Sequence, residues 1–358
     1  MRLTHLPTNV LTSLLICFSV SSVADITRII PESTIKLLAE EISGVSAKRN
    51  LDTVTLYHRT RASSQFRKAT EHIHEALKGY GFENTEIIEY PADGKTMFGT
   101  QKSRPAWDVG FAELWEVDTD DEPLKRYASW EAMPLSVAQD SVSGSVVASL
   151  VDIGAGTADS DYAGKKIKGR LVLTSSQPEA VAARAVGQLG AAGIISYAPN
   201  QVTAWWKEDD RLVRWGHLDS FDRPGTFGFM VSLRDARELQ VRLADGEDIR
   251  FSAEIRAGHE VGRYSLLTAL IPGSDDKLGN EEIVFSCHLD HPRPGANDNA
   301  SGCVSILEAA RTLQALVSKK LMPAPKRGLR FIWPAEIEGS LIYLAAMQDT
   351  SHIRANIH

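Results

Sequence analysis

Between residues 264 and 347 the chain alternates apolar runs of strand length with amphipathic runs of helix length, and this constrains the fold most. "YSLLTALIPGS" (264–274) reads as a strand and turn, and "EEIVFSCHLD" (281–290) as a strand that opens into a loop. "SGCVSILEAARTLQALVSKK" (301–320) places Val304, Leu307, Ala310, Leu313 and Val317 on one helical side. "RGLRFIWPAE" is a further strand and "SLIYLAAM" a further helix. Strand, helix, strand, helix predicts parallel strands with helices packed over them. Open sheets of this kind put their sites in the loops that leave the carboxyl ends of the strands.

Upstream, "SSQFRKATEHIHEALKG" (63–79) reads as a helix with a serine cap at Ser63 or Ser64. Phe66, Ala69, Ile73, Ala76 and Leu77 share one face, and Gly79 and Gly81 end it. His72 and His74 lie two apart on that helix, point to different faces and read as solvated side chains. "TEIIEY" (85–90) follows as a strand, and residues 91–140 show no clear period. From about 141 the texture becomes rich in β segments and glycine turns, with "SVVASLVDIG", "GRLVLTSS" and "IISYAP" as strands and "EAVAARAVGQLGAAG" as a small-residue helix.

The 358 residues carry 43% apolar and 24% charged side chains and a formal net charge of −7. This is the composition of a globular protein, and with no long basic run it argues against nucleic acid or an anionic membrane as partner. Residues 1–24 read as a secretory signal: Arg2, an apolar stretch from Val10 to Val20, then Ser22-Val23-Ala24 before a cut at Asp25. The apolar stretch falls short of the roughly 20 residues that span a bilayer. The expected location is secreted or periplasmic, with no membrane contact after cleavage. Cys17 leaves with the signal, and Cys287 and Cys303 remain. A disulfide is permitted in an exported chain, but each cysteine sits in an apolar run and reads as a small buried hydrophobe.

The loop "CHLDHPRPGANDNASG" (287–302) crowds two histidines and two aspartates between strand and helix. Imidazole and carboxylate without a thiolate cluster suit zinc or a similar divalent ion. Glu336 and Glu338 follow the next apolar strand, so their loop can open on the same sheet edge. Asp290, two residues from His288, is placed to orient an imidazole. His291 reads as a spare polar loop residue or a substrate contact. Trp205, Trp206 and Trp215 read as packing or surface-lining residues, and no motif surrounds His217, His259 or His352.

The pattern His288-x-Asp290, then Gly295-Ala296-x-Asp298-Asn299-x-Ser301-Gly302 opening a helix, then a strand and a glutamate turn, resembles the two-zinc aminopeptidase family. That family includes bacterial leucyl aminopeptidases and the glutamate carboxypeptidase and transferrin-receptor branch. Residues 140–235 resemble a protease-associated domain, through Asp161-Tyr162-Ala163-Gly164, Ile167-Lys168-Gly169-Arg170-Leu171-Val172-Leu173 and Gly190-Ala191-Ala192-Gly193-Ile194-Ile195. The resemblance implies an α/β fold: a zinc-exopeptidase-like mixed, largely parallel sheet with helices on both faces, plus an inserted β-rich domain. It implies four parts: a signal at 1–24, the first part of the peptidase scaffold at 25–139, the inserted domain at 140–235 and the catalytic core at 236–358.

Further implications concern roles. His288 would bind one zinc, Asp298 would bridge two, Asp290 would orient His288, and Glu336 would be the general base. The family has adjacent glutamates, base then ligand. Here Ile337 separates Glu336 from Glu338, so Glu338 becomes the candidate ligand and the two glutamates can exchange roles. The substrate would be a peptide with a free N-terminus. The family's remaining ligands would lie beyond "RANIH", so the resemblance implies an N-terminal fragment that is inactive alone. Two alternatives stand beside this one: a non-catalytic exported binding module on the same scaffold, and a glutaminyl-cyclase-like enzyme.

Overall fold

The computed structural model describes residues 30–198, 209–219, 221, 225–347 and 349–358. The signal-like residues 1–24, Trp205 and Trp206 lie outside these. Three helices come first: α1 (Glu32–Glu41), α2 (Gly44–Val54) and α3 (Ser64–Gly79). They lead to β1 (Thr85–Ala92) and a small hairpin, β2 (Met97–Phe98) with β3 (Gln101–Lys102). Next come β4 (Ala106–Val117), β5 (Pro123–Ser129), β6 (Gly144–Asp152), β7 (Leu171–Thr174), α4 (Pro178–Ala182), β8 (Gly193–Ser196) and β9 (Gly228–Met230). Then follow α5 (Leu233–Ala244), β10 (Arg250–Glu260), β11 (Gly262–Ile271), β12 (Glu282–Ser286), α6 (Ser301–Ser318), β13 (Gly328–Trp333), α7 (Glu338–Ala346) and β14 (Ile353–Ile357).

Two sheets result. The first has the order β1-β11-β13-β12-β14. β12 pairs in parallel with both β13 and β14, while β1 and β13 run antiparallel to β11. The sheet is mixed, and its parallel part is the β12–α6–β13–α7–β14 run. Helices cover both faces. Phe66, Ile73 and Leu77 of α3 and Leu307 of α6 pack with Leu267, Phe331 and Trp333 on one side. Tyr343 of α7 packs with Leu266, Val284 and Ile332 on the other. Ser63 caps α3 by accepting from the Phe66 N–H at 3.1 Å, satisfying a donor the helix start leaves free. His72 and His74 are partly buried rather than solvated, and His72 Nε2 lies 3.1 Å from Asn50 Oδ1.

The second sheet has the order β5-β4-β10-β6-β7-β8-β9. β6 to β9 are parallel and come from residues 140–235, whereas β4, β5 and β10 join from outside that block. β4, twelve residues long, falls within the stretch where no period is visible. Its Glu116 is buried against Arg242, so a charged residue stands where the pattern calls for an apolar one. A register shift against β10 between Arg256 and Ala257 also breaks the alternation. The chain leaves the first sheet at Ala92 and returns at Gly262, its partner across the ladder; Ala106 and Glu260 face each other at the neck of the second.

Cys287 and Cys303 are not separate buried thiols. They form a disulfide with a Cα–Cα distance of 5.3 Å, tying the end of β12 to the first turn of α6. Spacing of 16 along the chain carries no information on this, since a bridge depends on where two Cβ vectors point. The bridge closes the loop that carries His288, Asp290 and Asp298. A closed loop of this size restricts the unfolded chain by about 3 kcal/mol. Reduction, or the pair Cys287→Ala and Cys303→Ala, is expected to lower the unfolding free energy by about that amount. Urea melts with and without a phosphine reductant check this, and an unchanged midpoint refutes it.

Candidate functional site

His288 sits just past the end of β12, buried, with its two nitrogens in different surroundings. Nδ1 lies 3.1 Å from the Asp290 carbonyl oxygen and 3.7 Å from Asp290 Oδ1. A carbonyl only accepts, so geometry assigns the proton to Nδ1. Nε2 faces Asp298 Oδ1 at 3.1 Å. Burial pushes the His288 pKa down, but the Asp290 hydrogen bond and charge outweigh it and raise it to about 9. Without a metal, the ring therefore meets Asp298 as an imidazolium.

Asp290 has a second task. Its Oδ1 accepts the Glu336 backbone N–H at 2.5 Å, joining the loop after β13 to the loop after β12. Glu336, Asp290, His291 and Asp298 line one cleft of about 230 Å³, walled also by Arg59, Arg61, Gln139 and Trp215. Gln139 and Trp215 come from segments that connect strands of the second sheet, β5 to β6 and β8 to β9, so that part of the chain walls the cleft. Trp215 is 44% exposed and stacks on His217 with ring centroids 5.0 Å apart. A larger cavity, about 560 Å³, lies along α5 and β6 and contains none of the candidate residues.

Glu338 points elsewhere. It is buried, with Arg104 Nε at 2.9 Å, Arg61 Nη1 at 3.5 Å and the Tyr264 hydroxyl donating at 3.0 Å. Neither it nor His288 lines the cleft directly, but His288 Nε2 reaches the cleft residue Asp298, whereas Glu338 is held by Arg61, Arg104 and Tyr264. Burial and the Glu338 charge push the Tyr264 phenol up. Between the two glutamates, exposed Ile337 adopts φ +53°, a conformation uncommon for a β-branched residue. The chain reverses there, and Glu336 and Glu338 part company.

The loop is held from below by Arg59, a residue no sequence motif marks. Its guanidinium is fully buried and donates to the carbonyls of Leu289 (2.7 Å), Val54 (2.9 Å), Tyr57 (3.2 Å), Pro294 (3.2 Å) and Gly295 (3.1 Å). Its main chain exchanges hydrogen bonds with His291 at 3.0 and 3.1 Å. Neighbouring His58 Nδ1 accepts the Arg293 N–H at 3.2 Å. Burial pushes His58 down to about 3, so it stays neutral. The one readable hint is "HRTR" (58–61), two arginines between the ends of two helices.

A second group, Glu179, His217 and Asp219, brings its ligand-capable atoms within 4.8 Å of one another. His217 is raised by its hydrogen bond to Asp219, against burial. Arg104 Nη1, 3.1 Å from Asp219 Oδ1, already neutralises part of that charge. His259 Nε2 pairs with Asp140 Oδ1 at 2.9 Å, and His352 lies near Glu282.

The donor set at the cleft fits a zinc ion: an imidazole nitrogen faces a carboxylate oxygen at 3.1 Å, its other nitrogen anchored by a carbonyl and a carboxylate. Leucine aminopeptidase 1 of Pyrenophora tritici-repentis (strain Pt-1C-BFP) is 31% identical over 153 residues, 38% of this chain. The match spans 37% of that relative's length. The peptidase M28 precursor from Shewanella amazonensis SB2B superposes with a TM-score of 0.57 at 16% identity, over 87% of this chain and 70% of that one. BSAP, a zinc aminopeptidase from Bacillus subtilis, does so with 0.57 at 17%, over 87% and 68%. These two likenesses establish the zinc-exopeptidase type of fold. Residues 267–357 match the model of peptidase family M28, and that segment holds His288, Asp290, Asp298, Glu336 and Glu338.

Proposed function

We propose that the protein carrying this chain is an exported zinc aminopeptidase that hydrolyses the first peptide bond of substrates with a free N-terminus. The observation that carries the reading is the Asp298 carboxylate set 3.1 Å from His288 Nε2, with Glu336 in the same cleft, inside a segment that matches family M28. His288 and Asp298 would hold zinc, and Asp290 would fix the His288 ring. Zinc supplies a Lewis acid that polarises a carbonyl and brings water close to ionisation at neutral pH. Glu336 would take the proton of the attacking water and pass it to the departing amine. Glu338 is best read as the counter-charge of Arg61 and Arg104, with Glu336 left as the carboxylate for the cleft.

The 140–235 block is read as a protease-associated, non-catalytic unit that walls the cleft through Gln139, at its edge, and Trp215. The disulfide favours an oxidising compartment and so supports export, secreted or periplasmic. The sequestered Glu338 and apolar Ile337 favour one second reading, a binding module that retains metal without turnover.

The test is zinc content together with hydrolysis of leucine p-nitroanilide by the protein that carries this chain. Turnover lost to a chelator and restored by zinc supports the proposal. Bound zinc with no hydrolysis favours the binding module. Cyclisation of an N-terminal glutaminyl peptide in place of hydrolysis replaces the reading with a cyclase.

A further inference from the structure

The Asp298 carboxylate has two oxygens, and each faces a histidine. Oδ1 lies 3.1 Å from His288 Nε2, and Oδ2 lies 3.5 Å from His291 Nε2. The two rings are prepared in the same way. His291 Nδ1 lies 2.8 Å from the Pro292 carbonyl oxygen, as His288 Nδ1 lies 3.1 Å from that of Asp290. A carbonyl cannot donate, so in both rings Nδ1 carries a proton and Nε2 is the nitrogen turned toward the carboxylate. An Nε2 lone pair and a carboxylate oxygen are both acceptors, so a contact at these distances takes a cation between them: a proton, as on His288 without metal, or a metal ion in its place. Zinc bonds of about 2.0–2.2 Å to nitrogen and oxygen at a tetrahedral angle separate two ligand atoms by about 3.4 Å. The two observed separations bracket that value.

The loop is shaped to bring His291 to this position. Gly295 adopts φ +49°, and a Cβ there would lie 2.6 Å from His291 Nδ1, 2.8 Å from Arg59 Nη2 and 2.8 Å from the Asp298 carbonyl. Only a residue without a side chain lets the His291 ring, the Arg59 guanidinium and the Asp298 backbone meet. The Arg59 main chain pairs with His291 on both its N–H and its carbonyl, which fixes the residue as well as the ring. A spare polar loop residue needs none of this.

We propose that His291 is a zinc ligand, binding an ion on the Oδ2 side of Asp298 as His288 binds one on the Oδ1 side. Asp298 then serves both imidazoles, and the loop 288–298 contributes three ligands. The inference rests on the zinc reading of this cleft and adds a donor to it.

The chain itself is titrated with zinc while long-range ¹H–¹⁵N spectra report the ring nitrogens of His288 and His291, and calorimetry gives the affinity. Both Nε2 resonances are expected to move to metal-bound positions. His291→Ala is expected to weaken zinc binding by at least about 10–100-fold, the loss seen even for partners one step removed from a metal. Zinc moving His288 Nε2 but not His291 Nε2, with His291→Ala binding as tightly as the unsubstituted chain, overturns the proposal and leaves the zinc site standing. Zinc moving neither ring overturns both readings. If His291→Ala fails to fold, the spectra of the unsubstituted chain decide.

Discussion

Glu336→Gln is expected to slow hydrolysis of an aminoacyl p-nitroanilide by about 10²–10⁴-fold, the usual loss when a general base is removed, with bound zinc unchanged. The amide keeps the size and polarity of the carboxylate but cannot accept a proton from water. The geometry selects Glu336 over Glu338 for this task. Glu336 is exposed in the cleft, and its N–H is pinned at 2.5 Å by the same Asp290 carboxylate that faces His288. Glu338 is buried under Arg61, Arg104 and Tyr264. Glu338→Gln should therefore act first on stability, by removing the counter-charge beside Arg61 and one of the two beside Arg104, which keeps Asp219. Steady-state rates and zinc content for both variants check the assignment. A catalytic loss with Glu338→Gln and a zinc loss with Glu336→Gln would reverse it.

Arg59→Met is expected to destabilise the fold by about 3–5 kcal/mol, because several buried carbonyls lose a charged donor at once. Methionine fills the space of the alkyl stem but takes a donor from five carbonyls, of which Val54 keeps the Tyr57 N–H. Each unsatisfied group costs about 1–3 kcal/mol, softened where water enters. The loop also loses a positive charge near Asp290 and Asp298, both of which offset the burial that pulls Arg59 down to about 10. Lysine is not expected to rescue it, because one ammonium cannot reach carbonyls that a planar fork reaches from several sides. Urea unfolding measures the effect; a shift under about 1 kcal/mol would mean the carbonyls find other donors.

Those two residues differ in how far a reader of the sequence could find them. Glu336 follows an apolar strand with a recognisable pattern, so its neighbourhood is visible within ten residues. The same holds for His288, Asp290 and Asp298, gathered in one short loop, and for α3, whose Phe66, Ile73 and Leu77 repeat at helical spacing. Arg59 acts on Leu289, 230 residues away, and nothing local announces that. The disulfide was hidden for a similar reason, since both cysteines sit in apolar runs. Glu338 misleads differently. It stands two residues from Glu336, but the turn at Ile337 sends its carboxylate into the interior. β4 escapes because Asp108, Glu113 and Glu116 interrupt its alternation while each finds a partner, at Ser64, Arg126 and Arg242.

The neck between the two sheets has a consequence for how this architecture can vary. Ala92 and Gly262 are ladder partners, and Ala106 faces Glu260, so everything between departs and returns at one spot. Seen as a polymer problem, residues 106–260 are a closed loop whose ends are already held together. Lengthening such a loop costs little: each doubling adds only about 0.6 kcal/mol of closure entropy. The β1–β11 pairing and the His288 loop lie outside the segment. The piece that supplies Gln139 and Trp215 to the cleft is thus a cassette, and a lineage can rebuild the walls around the His288 loop while the sheet beneath it stays as it is.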